Sequence, residues 1–164
     1  MKTRFVTVIN IFLAFFLIGG LVSCFKDINS EEREQEIIDE FLKNNGIDAE
    51  PTESGLYYVE LIEGTGTQPV AGDTVEIFYK GYFLTGGVFA NNFNSAPRRF
   101  AVGTGAVIEG LDEGILYMKE GGEALLVVPS SLAYGSEGNY YLGIPGYTPL
   151  AFEIVLDKVI PGPF

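Results

Sequence analysis

Gly103-Thr-Gly-Ala-Val-Ile-Glu-Gly-Leu-Asp-Glu-Gly-Ile-Leu-Tyr-Met118 decides the fold. Ile108, Leu111, Ile115 and Met118 recur at three- and four-residue steps, which gives one face of a short helix an apolar stripe. Gly103, Gly105 and Gly110 bracket its start, and Gly121-Gly122 follow its end. Glu109, Asp112 and Glu113 fall in the first turn, where the positive end of the helix dipole favours carboxylates. Almost everything around the stretch reads as strand. One short helix among strands, with glycines holding the loop before it close, predicts a helix laid against a curved sheet.

Working outward, the strands announce themselves by composition and by turns. Leu56 to Ile62 is rich in Tyr, Val, Leu and Ile and stops at Glu63-Gly-Thr-Gly66. Val70-Ala-Gly-Asp73 is a turn. Thr74 to Leu84 is a long β-prone run closed by Gly86-Gly87, a hairpin signal, after which Val88 and Phe89 resume the sheet. Asn91 to Pro97 is polar and loop-like, and Phe100 to Val102 is a short strand leading to the helix. Beyond the helix, Glu123 to Val128 is a strand stopped by Pro129. Ser130 to Pro149 is a twenty-residue loop, a length that usually marks function. Leu150 to Ile160 is the last strand, ended by Pro161-Gly-Pro163.

The chain has 164 residues, enough for one domain with appendages. Hydrophobic residues at 47% and aromatics at 13% supply a core, and 21 glycines suit a turn-rich β protein. Net charge is formally −12; without residues 1–23, which carry Lys2 and Arg4 and no acid, 8 basic residues stand against 22 acidic ones, a formal −14. Such a surface repels phosphate backbones, so nucleic acid is not an expected partner. There is no His and one Cys, which removes His-dependent triads, histidine metal sites and internal disulfides; no metal is expected.

The start of the chain is of a different kind. Lys2 and Arg4 precede a mostly apolar run from Phe5 to Val22, the layout of an export signal. Leu21-Val22-Ser23-Cys24 then resembles the lipobox of bacterial lipoproteins, in which the Cys becomes the first mature residue and carries acyl chains. Two other readings stay open: a retained membrane anchor, since the run approaches the roughly 20 residues of a span, and an incidental thiol. The expected division is a signal peptide at 1–23, a lipidated tether and helix at 24–51, and a folded domain at 52–164. In the tether, Asn29 and Ser30 are cap candidates, and Ile37, Ile38, Phe41 and Leu42 form a narrow apolar stripe ended by Asn45-Gly46. That stripe is read as docking on the domain or stiffening the tether.

Several catalytic motifs are missing. Gly103-Thr-Gly105 lacks the third glycine of a dinucleotide fingerprint, and no phosphate loop occurs. Asp112 and Glu113 are neighbours on a helix and point apart, which disfavours acid/base work by the pair. What remains is an ordered set of apolar and aromatic segments. It runs through Gly72-Asp-Thr-Val-Glu-Ile-Phe-Tyr-Lys-Gly81, Gly86-Gly-Val-Phe89, Phe100-Ala-Val-Gly103 and Val107-Ile-Glu-Gly-Leu-Asp-Glu-Gly114. Pro129 through Ala133-Tyr-Gly135, Ile144-Pro145 and Leu150-Ala-Phe-Glu153 complete it.

From Gly72 to Val159 this set resembles the FKBP-type peptidyl-prolyl isomerases. The resemblance implies an α+β fold, an antiparallel β half-barrel wrapped around one short helix. It implies catalysis at Xaa-Pro bonds of peptide segments, without a cofactor. By resemblance Tyr79, Phe89, Ile108, Tyr134 and Phe152 form the catalytic set, with Val107, Leu111 and Ile144 lining the pocket and Leu111 at its floor. The Ile108 N–H and the Tyr134 hydroxyl are the implied donors to substrate carbonyls.

Two positions depart from the family pattern. Ala90 stands where the family usually has an Asp that accepts from the tyrosine at Tyr79. Arg98 stands where an aromatic is usual. An alternative register would put Phe93-Asn94-Ser95 in the role of Phe89 and its followers, leaving only seven residues to Phe100. The expectation is therefore a lipid-anchored isomerase for exported proteins, with activity reduced at Ala90 and Arg98. A non-catalytic peptide-binding module and a purely structural lipoprotein are the competing readings. Phe25 is not the Asp that retains some lipoproteins at the inner membrane, so the expected location is the outer membrane of a Gram-negative bacterium, and the expected state is a monomer.

Overall fold

The computed structural model describes residues 31–162. The expected signal peptide at 1–23, the lipidated Cys24 and the cap candidates Asn29 and Ser30 lie outside the described residues. Helix α1 covers Glu31–Asn44, followed by strands β1 (Tyr57–Ile62), β2 (Thr74–Phe83), β3 (Val88–Asn91) and β4 (Arg98–Ala101). Helix α2 (Glu109–Tyr117), β5 (Glu123–Val128) and β6 (Leu150–Ile160) complete the order. One sheet holds all six strands in the order β1-β5-β6-β2-β3, each neighbouring pair antiparallel, with β4 also on β2.

β2 is the strand that both halves of the sheet share. It pairs along its whole length with β6, while its other edge is divided: Thr74–Ile77 pair with β4, and Lys80–Tyr82 pair with β3. Between the two partners the ladder would lapse. Asn92 fills the gap, because its side-chain carbonyl accepts from the Tyr79 amide at 2.6 Å and its side-chain amide donates to the Ile77 carbonyl at 3.1 Å. A side chain thereby satisfies backbone groups that a strand would otherwise pair. The fourth strand begins at Arg98, two residues before the Phe100 expected from hydrophobicity, since pairing with β2 rather than side-chain character fixes it.

Helix α2 is shorter than its apolar stripe, with Ile108 and Met118 serving as N-cap and C-cap. Leu111, Ile115 and Met118 are buried against the sheet, each contributing roughly 1.5–3 kcal/mol by leaving water. The helix approaches closely because Gly110 and Gly114 face Val128 and Leu126, where any Cβ would collide with those side chains. Asp112 is also buried: its carboxylate accepts from the amides of Gly103 at 3.0 Å and Gly105 at 2.7 Å. It closes the loop onto the helix, while the adjacent Glu113 accepts from Thr52, Ser54 and Tyr117. The two carboxylates do point apart.

Helix α1 packs on the outer face of the sheet. Ile38 and Leu42 are buried with Tyr57 and Val127. Glu34, also buried, accepts from the amide and the hydroxyl of Ser130. The apolar stripe therefore docks on the domain. The loop from Ser130 to Pro149 carries more order than expected: 3-10 turns at Ser130–Leu132 and Tyr140–Leu142, the second enclosed by an Asn139–Ile144 bridge.

A candidate prolyl-binding cavity

The inward face of β2 presents Val75, Ile77, Tyr79 and Gly81 in alternation, as a half-buried strand must. Opposite Gly81 stands Phe152 on β6, and on the other side Ala90 on β3, so Phe152–Gly81–Ala90 form one rung across three strands. The β2–β3 register then slips, with Gly81 opposite Ala90 but Tyr82 opposite Val88, leaving Phe89 as the extra residue of a bulge. A bulge re-aims side chains, and here both Phe89 and Ala90 border the same cavity.

That cavity measures about 170 Å³ and is lined by Ile77, Tyr79, Phe89, Ala90, Arg98, Val107, Ile108, Leu111, Tyr134, Leu142 and Phe152. Nine of the ten candidate site residues named from sequence, Ala90 and Arg98 counted with the eight implied pocket residues, are thus brought together. The tenth, Ile144, does not line it: the side chain is 3% exposed and belongs to the hydrophobic core, drawn in where the Asn139–Ile144 bridge pins the loop. Two lining residues escaped the sequence reading. Ile77 was legible, lying two residues before Tyr79 on the same strand face. Leu142 sits in a 3-10 turn of the long loop, and no local pattern marks it.

The aromatic walls support one another. Phe89 and Phe152 meet edge to face at 5.7 Å between centroids, Phe83 packs on Phe89 at 5.4 Å, and Tyr79 lies 6.5 Å from Phe152. Such pairs add about 0.5–1.5 kcal/mol each beyond burial. Phe93, by contrast, stacks on Phe78 at 6.2 Å and is exposed. The register with Phe89 at the cavity is therefore the one adopted, and the alternative at Phe93 is excluded.

Polar groups at the cavity are few. The Ile108 N–H occupies the N-cap of α2, where helix geometry leaves amides unpaired, and no acceptor for it exists among the described residues. The Tyr134 hydroxyl likewise has none there. Burial pushes the Tyr134 pKa up, opposed by the Arg98 charge and assisted by Tyr79. The hydroxyl thus stays protonated and able to donate. Tyr79 makes its backbone hydrogen bonds to Asn92, donating to the side-chain carbonyl and accepting from the backbone amide. With Ala90 at the neighbouring position, its hydroxyl has no carboxylate partner among the described residues.

Volume does not single this cavity out. A cleft of about 450 Å³ lies between α1 (Arg33, Glu34, Ile37), the β2–β3 turn and residues 143–149. Its lining includes Phe83 and Tyr147 but shares no residue with the smaller cavity.

Residues 65–157 match the family model described as FKBP-type peptidyl-prolyl cis-trans isomerase. Over 136 residues the chain is 35% identical to the FKBP-type peptidyl-prolyl cis-trans isomerase FkpA of Escherichia coli, covering 82% of this chain and 48% of that protein. It is 38% identical to the FK506-binding protein of Neisseria meningitidis, covering 64% of this chain and 96% of that one. The crystal structure of FkpA from Escherichia coli superposes with a TM-score of 0.72 at 31% identity, covering 99% of this chain and 75% of that chain. This chain spans about half the length of the full Escherichia coli relative. A family match over more than half of the sequence, together with the half-barrel and its single inner helix, leaves one conclusion: the chain belongs to the FKBP-type peptidyl-prolyl cis-trans isomerases.

Proposed function

We propose that this protein is a peptidyl-prolyl cis-trans isomerase held at the cell envelope by an acylated Cys24 and acting on Xaa-Pro bonds of exported proteins. One observation carries the catalytic part. Two donors without a partner among the described residues, the Ile108 N–H and the Tyr134 hydroxyl, stand among the rings of Tyr79, Phe89 and Phe152 in a single apolar cavity.

The physics asks for little more. Rotation of a peptide bond faces about 18–20 kcal/mol, and the Xaa-Pro bond turns over in tens to hundreds of seconds unaided. At the twisted transition state the nitrogen lone pair leaves conjugation with the carbonyl, and the amide becomes less polar. An apolar enclosure favours that state over the planar amide, and only such differential binding accelerates the reaction. The two donors hold flanking carbonyls while the proline ring rests against the aromatic walls. No nucleophile and no proton transfer enter.

Ala90 sets the level of activity. Without a carboxylate to accept from Tyr79, that ring loses an anchor worth about 1–3 kcal/mol, and each 1.4 kcal/mol lost at the transition state is about tenfold in rate. The same two departures, Ala90 and Arg98, support the second reading, a peptide-binding module that holds proline segments without useful turnover. Anchoring rests on the lipobox at Leu21–Cys24, and an outer-membrane location on Phe25 after it.

Full-length protein purified from membranes, assayed on an Xaa-Pro peptide by exchange NMR, tests the enzymatic reading. Catalysis above the buffer rate is expected, and peptide binding with none would establish the binding module instead. The mass of the same sample tests the anchor: cleavage before Cys24 with added acyl chains is expected, and a retained Met1 or a free Cys24 thiol overturns it.

A further inference from the structure

We infer that Arg98 makes this cavity selective for an acidic side chain beside the proline, an inference that rests on the reading of the cavity as an Xaa-Pro site. The register of β4 carries it. Arg98 lies opposite Ile77 and Arg99 opposite Glu76 on β2, and facing residues in an antiparallel pair share a side of the sheet. Arg99 therefore meets Glu76 on the outer side, with a 3.7 Å ion pair. Arg98 falls with Ile77 on the cavity side, beside the Phe100 ring 6.0 Å away, and no carboxylate pairs with it among the described residues. Two adjacent arginines are thus treated differently: one is neutralised within the chain and the other is presented at the mouth of an apolar cavity.

The lining of that cavity contains one cation and no acid. In a chain of net charge −12, the general field attracts cationic peptides and repels acidic ones. Arg98 reverses this locally, where a peptide enters. A guanidinium offers forked donors that match a carboxylate, and this one stands over the Phe100 ring. Glu or Asp next to the proline supplies that carboxylate, while the proline itself occupies the aromatic walls. Because Arg98 is exposed, the pair is modest, worth up to about fivefold in affinity.

The test compares peptides that differ only in Glu or Gln beside the proline, placed before it in one pair and after it in another. Affinity is read by NMR titration and turnover by exchange NMR, with full-length wild type, Arg98→Met and Arg99→Met. Expected is a preference for Glu in at least one pair, up to about fivefold at low salt and shrinking as salt screens it. Arg98→Met should abolish or invert the preference, and Arg99→Met should keep it. Equal affinity for Glu and Gln in wild type, or a preference that survives Arg98→Met, overturns the inference. Loss of turnover with the binding preference intact would fail the isomerase reading alone, because the titration reports on Arg98 whether or not the bond is turned.

Discussion

Gly81 lies directly beneath Phe89: a Cβ at residue 81 would stand 2.7 Å from the Phe89 Cζ and 2.9 Å from Phe152 Cε1. The missing side chain is what lets two rings from different strands lie over β2 and meet edge to face. The cavity wall is thus set by an absence in the strand beneath it. That absence is positioned by register, since Phe152, Gly81 and Ala90 share one rung.

Gly81→Ala should therefore displace both rings. The expected cost is about 1–3 kcal/mol of overpacking, with a larger loss of proline-peptide affinity. Urea denaturation gives the first and NMR titration the second. Unchanged ring shifts of Phe89 and Phe152 in the variant would show that Gly81 does not hold them.

Acid sensitivity should arise at Asp73, away from the cavity. Its carboxylate accepts from the Val70 amide at 3.0 Å and the Gly162 amide at 2.8 Å, and these bonds hold its pKa below the ordinary Asp value. A depressed folded value means that the stabilisation is complete above the ordinary Asp pKa and is lost as pH falls through the depressed one. Asp73→Asn should be less stable than wild type at neutral pH, with the gap closing toward low pH. Urea midpoints measured down the acid range decide it; a gap independent of pH would remove Asp73 from the acid limb.

The inner helix was legible because Ile108 to Met118 repeats at helical steps, and most strands because β-prone runs end at turn signals such as Gly86-Gly87. Glu123–Val128 has no alternation because it is covered on both sides, Leu126 and Val128 by α2 and Val127 by α1, so its outer cover could not be read from it. Arg98 and Arg99 hid the start of β4, since the strand is held by backbone pairing and not by apolar side chains. Asn92 read as loop although its amide completes the β2 ladder. Position in the cavity was legible for Tyr79, Phe89 and Phe152 from ordered motifs. Ile144 was misplaced because burial behind a loop and burial beside a ligand demand the same residue type.

Ala90→Asp should raise the isomerisation rate by giving the Tyr79 hydroxyl an acceptor on the neighbouring strand. The gain should be partial, because Arg98 borders the same cavity and competes for the new carboxylate. Adding Arg98→Leu to Ala90→Asp should release it and raise the rate further. Exchange NMR on one peptide with all three proteins checks the order. An Ala90→Asp variant no faster than wild type, alone or with Arg98→Leu, would show that the missing carboxylate does not limit turnover.

Whether the cavity turns over proline bonds is tested most directly by one comparison. A Leu-Pro peptide is followed by exchange NMR with catalytic amounts of full-length wild type and of Tyr134→Ala, a half-buried position at the edge of the core. Wild type should exchange the cis and trans signals faster than buffer. Tyr134→Ala should fall toward the buffer rate while its own spectrum remains that of a folded domain. A wild type that leaves the exchange at the buffer rate, or a folded Tyr134→Ala as fast as wild type, would contradict catalysis at this cavity.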